Sequence, residues 1–237
     1  MHNALFDRCH SRAAGTRGKR RVELRLDVVE LLPEDLPPER AILAANMETA
    51  LNIVWDAGIQ PGDIVAVYGA GTVGSLVAFL ASSIPATETT LIDPNGKRAA
   101  LAEKLGLAFS SGDHAGPFDV AVNASGSDKA LAAAVAAAGQ EARIVEASWH
   151  GSGTASIPLG GPFHARRLSI VSSQVGSLPP SHRARWTFAR RMEKALQLLA
   201  DARLDALISG DTSFGELKAA YPAILSSPET LCHRIRY

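Results

Sequence analysis

Only two cysteines occur in the 237 residues, Cys9 and Cys232, and they sit near opposite ends. That scarcity excludes a disulfide framework and a cysteine-rich zinc module. Long apolar runs are also missing: none reaches the roughly 18 residues that span a bilayer as a helix. Residues 1–21 lack the apolar core of a secretory signal and a clear amphipathic targeting helix, so the expected location is cytoplasmic. Net charge is absent, with 24 Lys and Arg against 24 Asp and Glu. The balance is uneven. Residues 1–25 carry Arg8, Arg12, Arg17, Lys19, Arg20, Arg21 and Arg25 against Asp7 and Glu23, which leaves the remainder acidic by about five charges. An acidic body argues against a nucleic-acid partner.

What is present is an ordinary soluble composition, 46% hydrophobic and 20% charged, in a chain long enough to bury a large core. Met1–Arg21 has no apolar periodicity and reads as a disordered basic leader. In Val22–Leu32, Leu24, Leu26 and Val28 alternate with Arg25 and Asp27, the pattern of a half-buried strand. Pro33, Pro37 and Pro38 break the chain. From Glu39, Ile42, Leu43, Met47, Ala50, Leu51, Val54 and Trp55 recur at helical spacing until Gly58.

Strand and helix signals then alternate. Strands are expected at Ile64–Tyr68, Thr89–Ile92, Phe118–Val122, Ala142–Ala147 and Leu168–Ser172. Helices are expected at Thr72–Ser83, Lys97–Leu105 before Gly106, and Lys129–Ala138 before Gly139. Strands flanked by apolar residues on both sides suit a parallel sheet covered by helices. A long helix is expected over Ser181–Ala202, with Arg183, Arg185, Arg190 and Arg191 on a solvated basic face. A short helix near Leu217–Leu225 and a strand at Leu231–Ile235 follow, without a repeat of the strand–helix pattern. The fold class is therefore α/β, a Rossmann-type doubly wound parallel sheet over 39–178, with a C-terminal helix and return segment over 179–237.

The informative motif is Gly69-Ala70-Gly71-Thr72-Val73-Gly74, between an apolar strand and an apolar helix. In a dinucleotide site, Gly69 allows the tight turn, Gly71 lets a pyrophosphate approach the backbone, and Gly74 lets helix and sheet pack closely. The N–H groups near Thr72 and Val73 then face the phosphates at a helix N-terminus. Asp93 ends the second strand, where a carboxylate accepts the adenosine ribose hydroxyls and repels a 2′-phosphate, so NAD is favoured over NADP. Lys97 and Arg98 are cofactor-side candidates that point the other way, toward a phosphate. Ala124 and Ser125 are small residues at a strand end that leave room for the cofactor. A methyltransferase uses a similar glycine turn and acidic residue, but the tight GxGxxG spacing favours a dinucleotide. No catalytic residue is assigned. His150 lies at the sheet edge suited to proton transfer, but in a Gly/Ser loop it reads as a surface residue. Gln174 reads equally as a strand cap or a carboxamide partner.

Several segments together resemble the medium-chain dehydrogenase/reductase family, the zinc-type alcohol and polyol dehydrogenases and their zinc-free relatives. They are Thr49-Ala50, Gly58-Ile59-Gln60-Pro61-Gly62-Asp63, Gly69 to Gly74, Asp93-Pro94-Asn95, Lys97-Arg98, Ala102-Glu103-Lys104-Leu105-Gly106, and Phe118 to Gly126. The similarity runs from about Leu31 to Tyr237. It implies an oxidoreductase that passes hydride between an alcohol and a carbonyl compound with NAD(H). The substrate is a small molecule that the resemblance does not name. A non-catalytic NAD-binding or oligomerisation module is the alternative. The resemblance also implies that 22–38 is the remnant of a GroES-like domain whose larger part is not encoded here, as in a truncated product. The family's third zinc ligand falls at Ala45, which cannot bind metal, and Glu48 one turn on reads as an ordinary polar residue; no metal site is expected. Relatives pair through cofactor-sheet edges, so a homodimer through Leu168–Val171 is expected.

Overall fold

Ile64–Tyr68 forms β1, and its residues explain why it lies at the centre of the sheet. Val65 and Val67 are buried on one face with residues of the first core cluster, while Ala66 and Tyr68 are buried on the other. A strand apolar on both faces must be covered on both. The computed structural model describes residues 31–112 and 116–237. The expected leader and most of the expected Val22–Leu32 strand lie outside the described residues.

The elements in chain order are α1 (Pro38–Ala41), α2 (Ala44–Ala57), β1, α3 (Thr72–Ser82), β2 (Glu88–Ile92), α4 (Ala99–Leu105), β3 (Ala108–Ser110), β4 (Phe118–Asn123), α5 (Asp128–Ala137), β5 (Ala138–Glu146), α6 (Pro162–Ala165), β6 (Ser169–Ser172), α7 (Phe188–Leu198), β7 (Ile208–Ser213), α8 (Leu217–Ser226) and β8 (Cys232–Arg236). A 3₁₀ turn, Gly96–Arg98, leads into α4, and another, Ala202–Leu207, precedes β7.

Six parallel strands form the main sheet in the order β3-β2-β1-β4-β5-β6. The chain reverses its direction of travel between β1 and β4. In a sheet of this kind that switch opens a crevice at the carboxyl ends of those two strands. Residues of α2, α3, α4 and α7 (Met47, Ile53, Leu76, Leu105, Leu196) join one core cluster, and Leu131 and Val135 of α5 join the other. Each such fully buried aliphatic side chain contributes about 1.5–3 kcal/mol. Among the described residues no helix is long and apolar enough to cross a membrane.

Several features depart from the sequence reading, the unexpected edge strand β3 among them. The Ser181–Ala202 helix is confined to Phe188–Leu198. Thr187 is extended, and its hydroxyl accepts the Arg190 N–H at 3.1 Å, so it caps the helix instead of continuing it. Residues 181–186 form turns closed on Pro179 and His182 carbonyls. Arg191 does not belong to a solvated face: it is 2% exposed and donates to Glu48, Asn52 and the Val175 carbonyl. β5 begins at Ala138, directly from the end of α5, with Gly139 already in the strand. The C-terminal part does repeat the strand–helix–strand pattern. β7 and β8 pair in parallel around α8, joined across the strands by Asp211 with Arg234 at 2.8 Å and Arg236 at 3.1 Å.

Candidate functional site

The glycine turn lies at the carboxyl end of β1, in the crevice. Gly69 has φ 103°, a backbone region that L side chains rarely adopt. A Cβ there would sit 2.8 Å from Ser125 Cα and 2.9 Å from the Ala124 carbonyl. A Cβ on Gly74 would lie 1.9 Å from the Gly69 carbonyl oxygen. Both positions are therefore closed by the chain's own backbone. Gly71 differs. Its φ of −79° suits any residue, and a Cβ there would meet nothing within 4 Å. Gly71 is the N-cap of α3, and no side chain caps that helix. The first N–H groups of a helix have no partner inside it, and the dipole there favours an anion.

Asp93 stands at the end of β2 and ties the crevice together. Its Oδ2 accepts the Ala70 N–H at 2.8 Å, and its Oδ1 accepts the Asn95 N–H at 2.8 Å. Each carboxylate oxygen keeps a second lone pair. Asp93 thus holds the glycine turn and the following turn while still able to accept from a diol. Ala124 N–H donates to the Tyr68 carbonyl at 2.9 Å, so the β4–α5 turn is bonded to the end of β1. Eight of the sequence candidates (Gly69, Gly71, Thr72, Val73, Gly74, Asp93, Ala124, Ser125) are brought to the carboxyl ends of β1, β2 and β4.

Lys97 and Arg98 follow within one turn but are engaged elsewhere. Lys97 Nζ lies 3.3 Å from Glu229 Oε1, and Arg98 Nη2 donates to the Pro228 carbonyl at 2.8 Å. Gln174 closes a turn through its carbonyl, which accepts the Ser177 N–H at 3.0 Å.

A polar network beyond Ser125 escaped the sequence reading. Asn123 is fully buried at the end of β4 and is in register with Glu146 at the end of β5. Its Nδ2 donates to Glu146 Oε2 at 2.7 Å, and its Oδ1 accepts the Ser125 hydroxyl at 2.6 Å. Glu146 Oε1 accepts the Ser148 N–H at 2.8 Å, and the Ser148 hydroxyl accepts the Gly126 N–H at 2.9 Å. His150 Nε2 stands 3.8 Å from Glu146 Oε1, outside hydrogen-bond reach but within ion-pair distance. The available signal was a polar residue closing each of two neighbouring apolar strands. This network fixes the floor of the crevice.

A hollow of roughly 450 Å³ lined by Pro117, Ala137, Gly139 and Arg166 lies at the amino ends of β4 and β5, away from the glycine turn. Arg166 already donates there to the Ala136 and Ala138 carbonyls at 3.1 and 2.6 Å.

A zinc ion of the kind the family resemblance raises does not fit the donors offered by the described residues. Position 45 is alanine, and the Glu48 carboxylate is 5% exposed and bonded by Arg191 at 3.0 Å. Among the described residues no group of three His, Cys, Asp or Glu is placed to hold a metal ion.

No family model matches the chain. A D-guloside 3-dehydrogenase from Escherichia coli is 25% identical over 205 residues, which cover 80% of this chain and 59% of that protein. An aliphatic (R)-hydroxynitrile lyase from Linum usitatissimum is 36% identical over 78 residues, covering 32% of this chain and 18% of the lyase. The chain therefore spans well under two thirds of the curated relatives it matches. An alcohol dehydrogenase from Escherichia coli CFT073, solved with NADH, superposes with a TM-score of 0.72 at 18% identity, covering 87% of this chain and 61% of the other. That likeness establishes the fold.

Proposed function

We propose, on the premise that the chain is related in sequence and fold to the medium-chain dehydrogenases over its cofactor-binding and C-terminal part, that it binds NAD(H) at the Gly69–Gly74 turn and serves an oxidoreductase. The reaction would interconvert an alcohol and a carbonyl compound without zinc. One observation carries the binding proposal. Gly69 and Gly74 are demanded by the fold itself, but nothing among the described residues demands a glycine at 71. The space above Gly71, at an uncapped helix N-terminus, suits a pyrophosphate.

The residues divide the work as follows. The backbone of Gly71, Thr72 and Val73 faces the phosphates. Asp93 accepts the ribose hydroxyls while its bonds to Ala70 and Asn95 hold it in place. Ala124 and Ser125 keep the floor low, and the Asn123–Glu146 pair keeps it rigid. When bound, the nicotinamide supplies the hydride chemistry.

A second reading is a non-catalytic NAD-binding module. The engagement of Glu48 by Arg191 favours it, because that carboxylate is taken up by structure. A homodimer through β6, the last strand of the sheet, and a cytoplasmic location belong to either reading.

Titration of the purified protein with NADH and NADPH, read by fluorescence, tests the proposal. NADH is expected to bind more tightly. Asp93→Ala should weaken NADH much more than NADPH, since only the unphosphorylated ribose uses the carboxylate. Failure to bind either cofactor removes both readings. Turnover over a panel of alcohols and aldehydes selects the oxidoreductase, and binding without turnover selects the module.

A further inference from the structure

Lys97 and Arg98, in the turn after Asp93, are held by a segment more than a hundred residues away. Lys97 Nζ pairs with Glu229 Oε1 at 3.3 Å, and Arg98 Nη2 donates to the Pro228 carbonyl at 2.8 Å. The segment is anchored on both sides. α8 ends at Ser226 before it, and β8 begins at Cys232 after it, paired in parallel with β7. Within the segment, the Ser227 hydroxyl accepts the Glu229 N–H at 3.3 Å and the Ser227 carbonyl accepts the Thr230 N–H at 3.2 Å. Leu231 N–H donates to the Ser209 hydroxyl at 2.9 Å, which ties the segment to β7.

We infer that Glu229, with the Pro228 carbonyl, strengthens the preference for NAD(H) over NADP(H) that Asp93 establishes, by engaging Lys97 and Arg98. The inference rests on the dinucleotide reading above. A 2′-phosphate on the adenosine ribose carries nearly two negative charges and is held by guanidinium or ammonium groups beside the second strand. Lys97 and Arg98 are the right residues in the right turn: the Arg98 N–H donates to the Asn95 carbonyl at 2.9 Å, and Asn95 N–H donates to Asp93. Asp93 alone would make a site of mixed sign, one carboxylate facing two cations. Glu229 turns that balance against phosphate. It pairs with the ammonium and adds a second negative charge near the place a 2′-phosphate would occupy.

The Lys97–Glu229 pair is 76% and 51% exposed on its two side chains. Such a pair contributes little to folding, so Glu229 can be changed without unfolding the protein, and the effect of the change will be read in cofactor choice.

The experiment is a set of NADH and NADPH titrations of the full chain and of Glu229→Gln and Glu229→Lys. Glu229→Gln should tighten NADPH binding about three- to tenfold, the size of one or two exposed charge contacts, and leave NADH within twofold. Glu229→Lys should tighten NADPH further. Adding Lys97→Met to Glu229→Gln should abolish the gain. Raising the salt concentration should shrink it, because exposed charges are screened. An NADPH affinity unmoved in both Glu229 variants, with NADH binding intact, overturns this inference alone. Equal shifts for the two cofactors also overturn it. A wild-type protein that binds no NADH removes the dinucleotide reading and this inference with it.

Discussion

Arg191→Met removes a buried cation that lies outside the cofactor crevice. The guanidinium reaches from α7 to α2, with Nε donating to Glu48 Oε1 at 3.0 Å, Nη1 to Asn52 Oδ1, and Nη2 to the Val175 carbonyl at 2.6 Å. The two charged side chains are 2% and 5% exposed. Removing the cation leaves a buried carboxylate uncompensated and two further acceptors unpaired. Breaking a buried ion pair from one side costs about 3–5 kcal/mol. For a chain of this size each kcal/mol lowers Tm by about 2–4 °C, so a fall of about 10 °C is expected. The double variant Arg191→Met with Glu48→Leu should recover the part of the loss that comes from the uncompensated carboxylate, since apolar groups of similar volume replace such pairs at little cost. Urea denaturation followed by circular dichroism measures both. A single-variant loss under about 1 kcal/mol, or a double variant no better than the single, would refute the reasoning that this pair joins α7 to α2.

Two further outcomes concern Ser75 and His182. Ser75 is fully buried in α3 and its hydroxyl has no hydrogen-bond partner among the described residues, so Ser75→Ala should raise stability by about 1 kcal/mol in the same denaturation assay, and a loss would contradict this. His182 stacks on Trp55 with ring centroids 4.3 Å apart, and burial first, then Arg185, lowers its pKa from the ordinary value near 6.5, against a smaller opposing pull from Asp56. Its unfolded form therefore binds a proton more readily than the native form. Stability should be level above about pH 6.5 and fall as pH drops from there toward the lowered native value. His182→Gln should flatten that part of the pH profile, and an unchanged slope would contradict the assignment.

The parts of the fold legible in the sequence are those where burial imposes a period. β1 matches its expected limits, Ile64–Tyr68, because apolar residues on both faces leave no other placement. α2 stops at Gly58 and α4 at Gly106, both expected from the glycine itself. β3 is three residues long at the sheet edge, too short to carry an alternation. β7, Ile-Ser-Gly-Asp-Thr-Ser, is mostly polar; Asp211 ion pairs join it to β8, a cross-strand effect invisible along the chain. Arg191 looked solvated because its partners, Glu48 and Asn52, are about 140 residues away in sequence.

The candidate site divides the same way. The glycine turn and Asp93 were legible because backbone geometry and a strand end dictate them. Asn123 and Glu146 were not, because their pairing depends on the register of β4 against β5. The Lys97–Glu229 contact depends on where the C-terminal segment comes to rest.

The central claim, that the space above Gly71 is shaped for a dinucleotide phosphate, is tested most directly by Gly71→Asp. The position has an ordinary φ of −79°, open space, and the N-cap of α3, where aspartate is a preferred residue. The variant should therefore keep or slightly raise the stability of the fold. Its carboxylate would stand where the pyrophosphate would bind. NADH titration of wild type and Gly71→Asp should show binding in the first and its loss in the second, with unfolding midpoints equal or higher in the variant. Undiminished NADH binding by a well-folded Gly71→Asp protein would contradict the account.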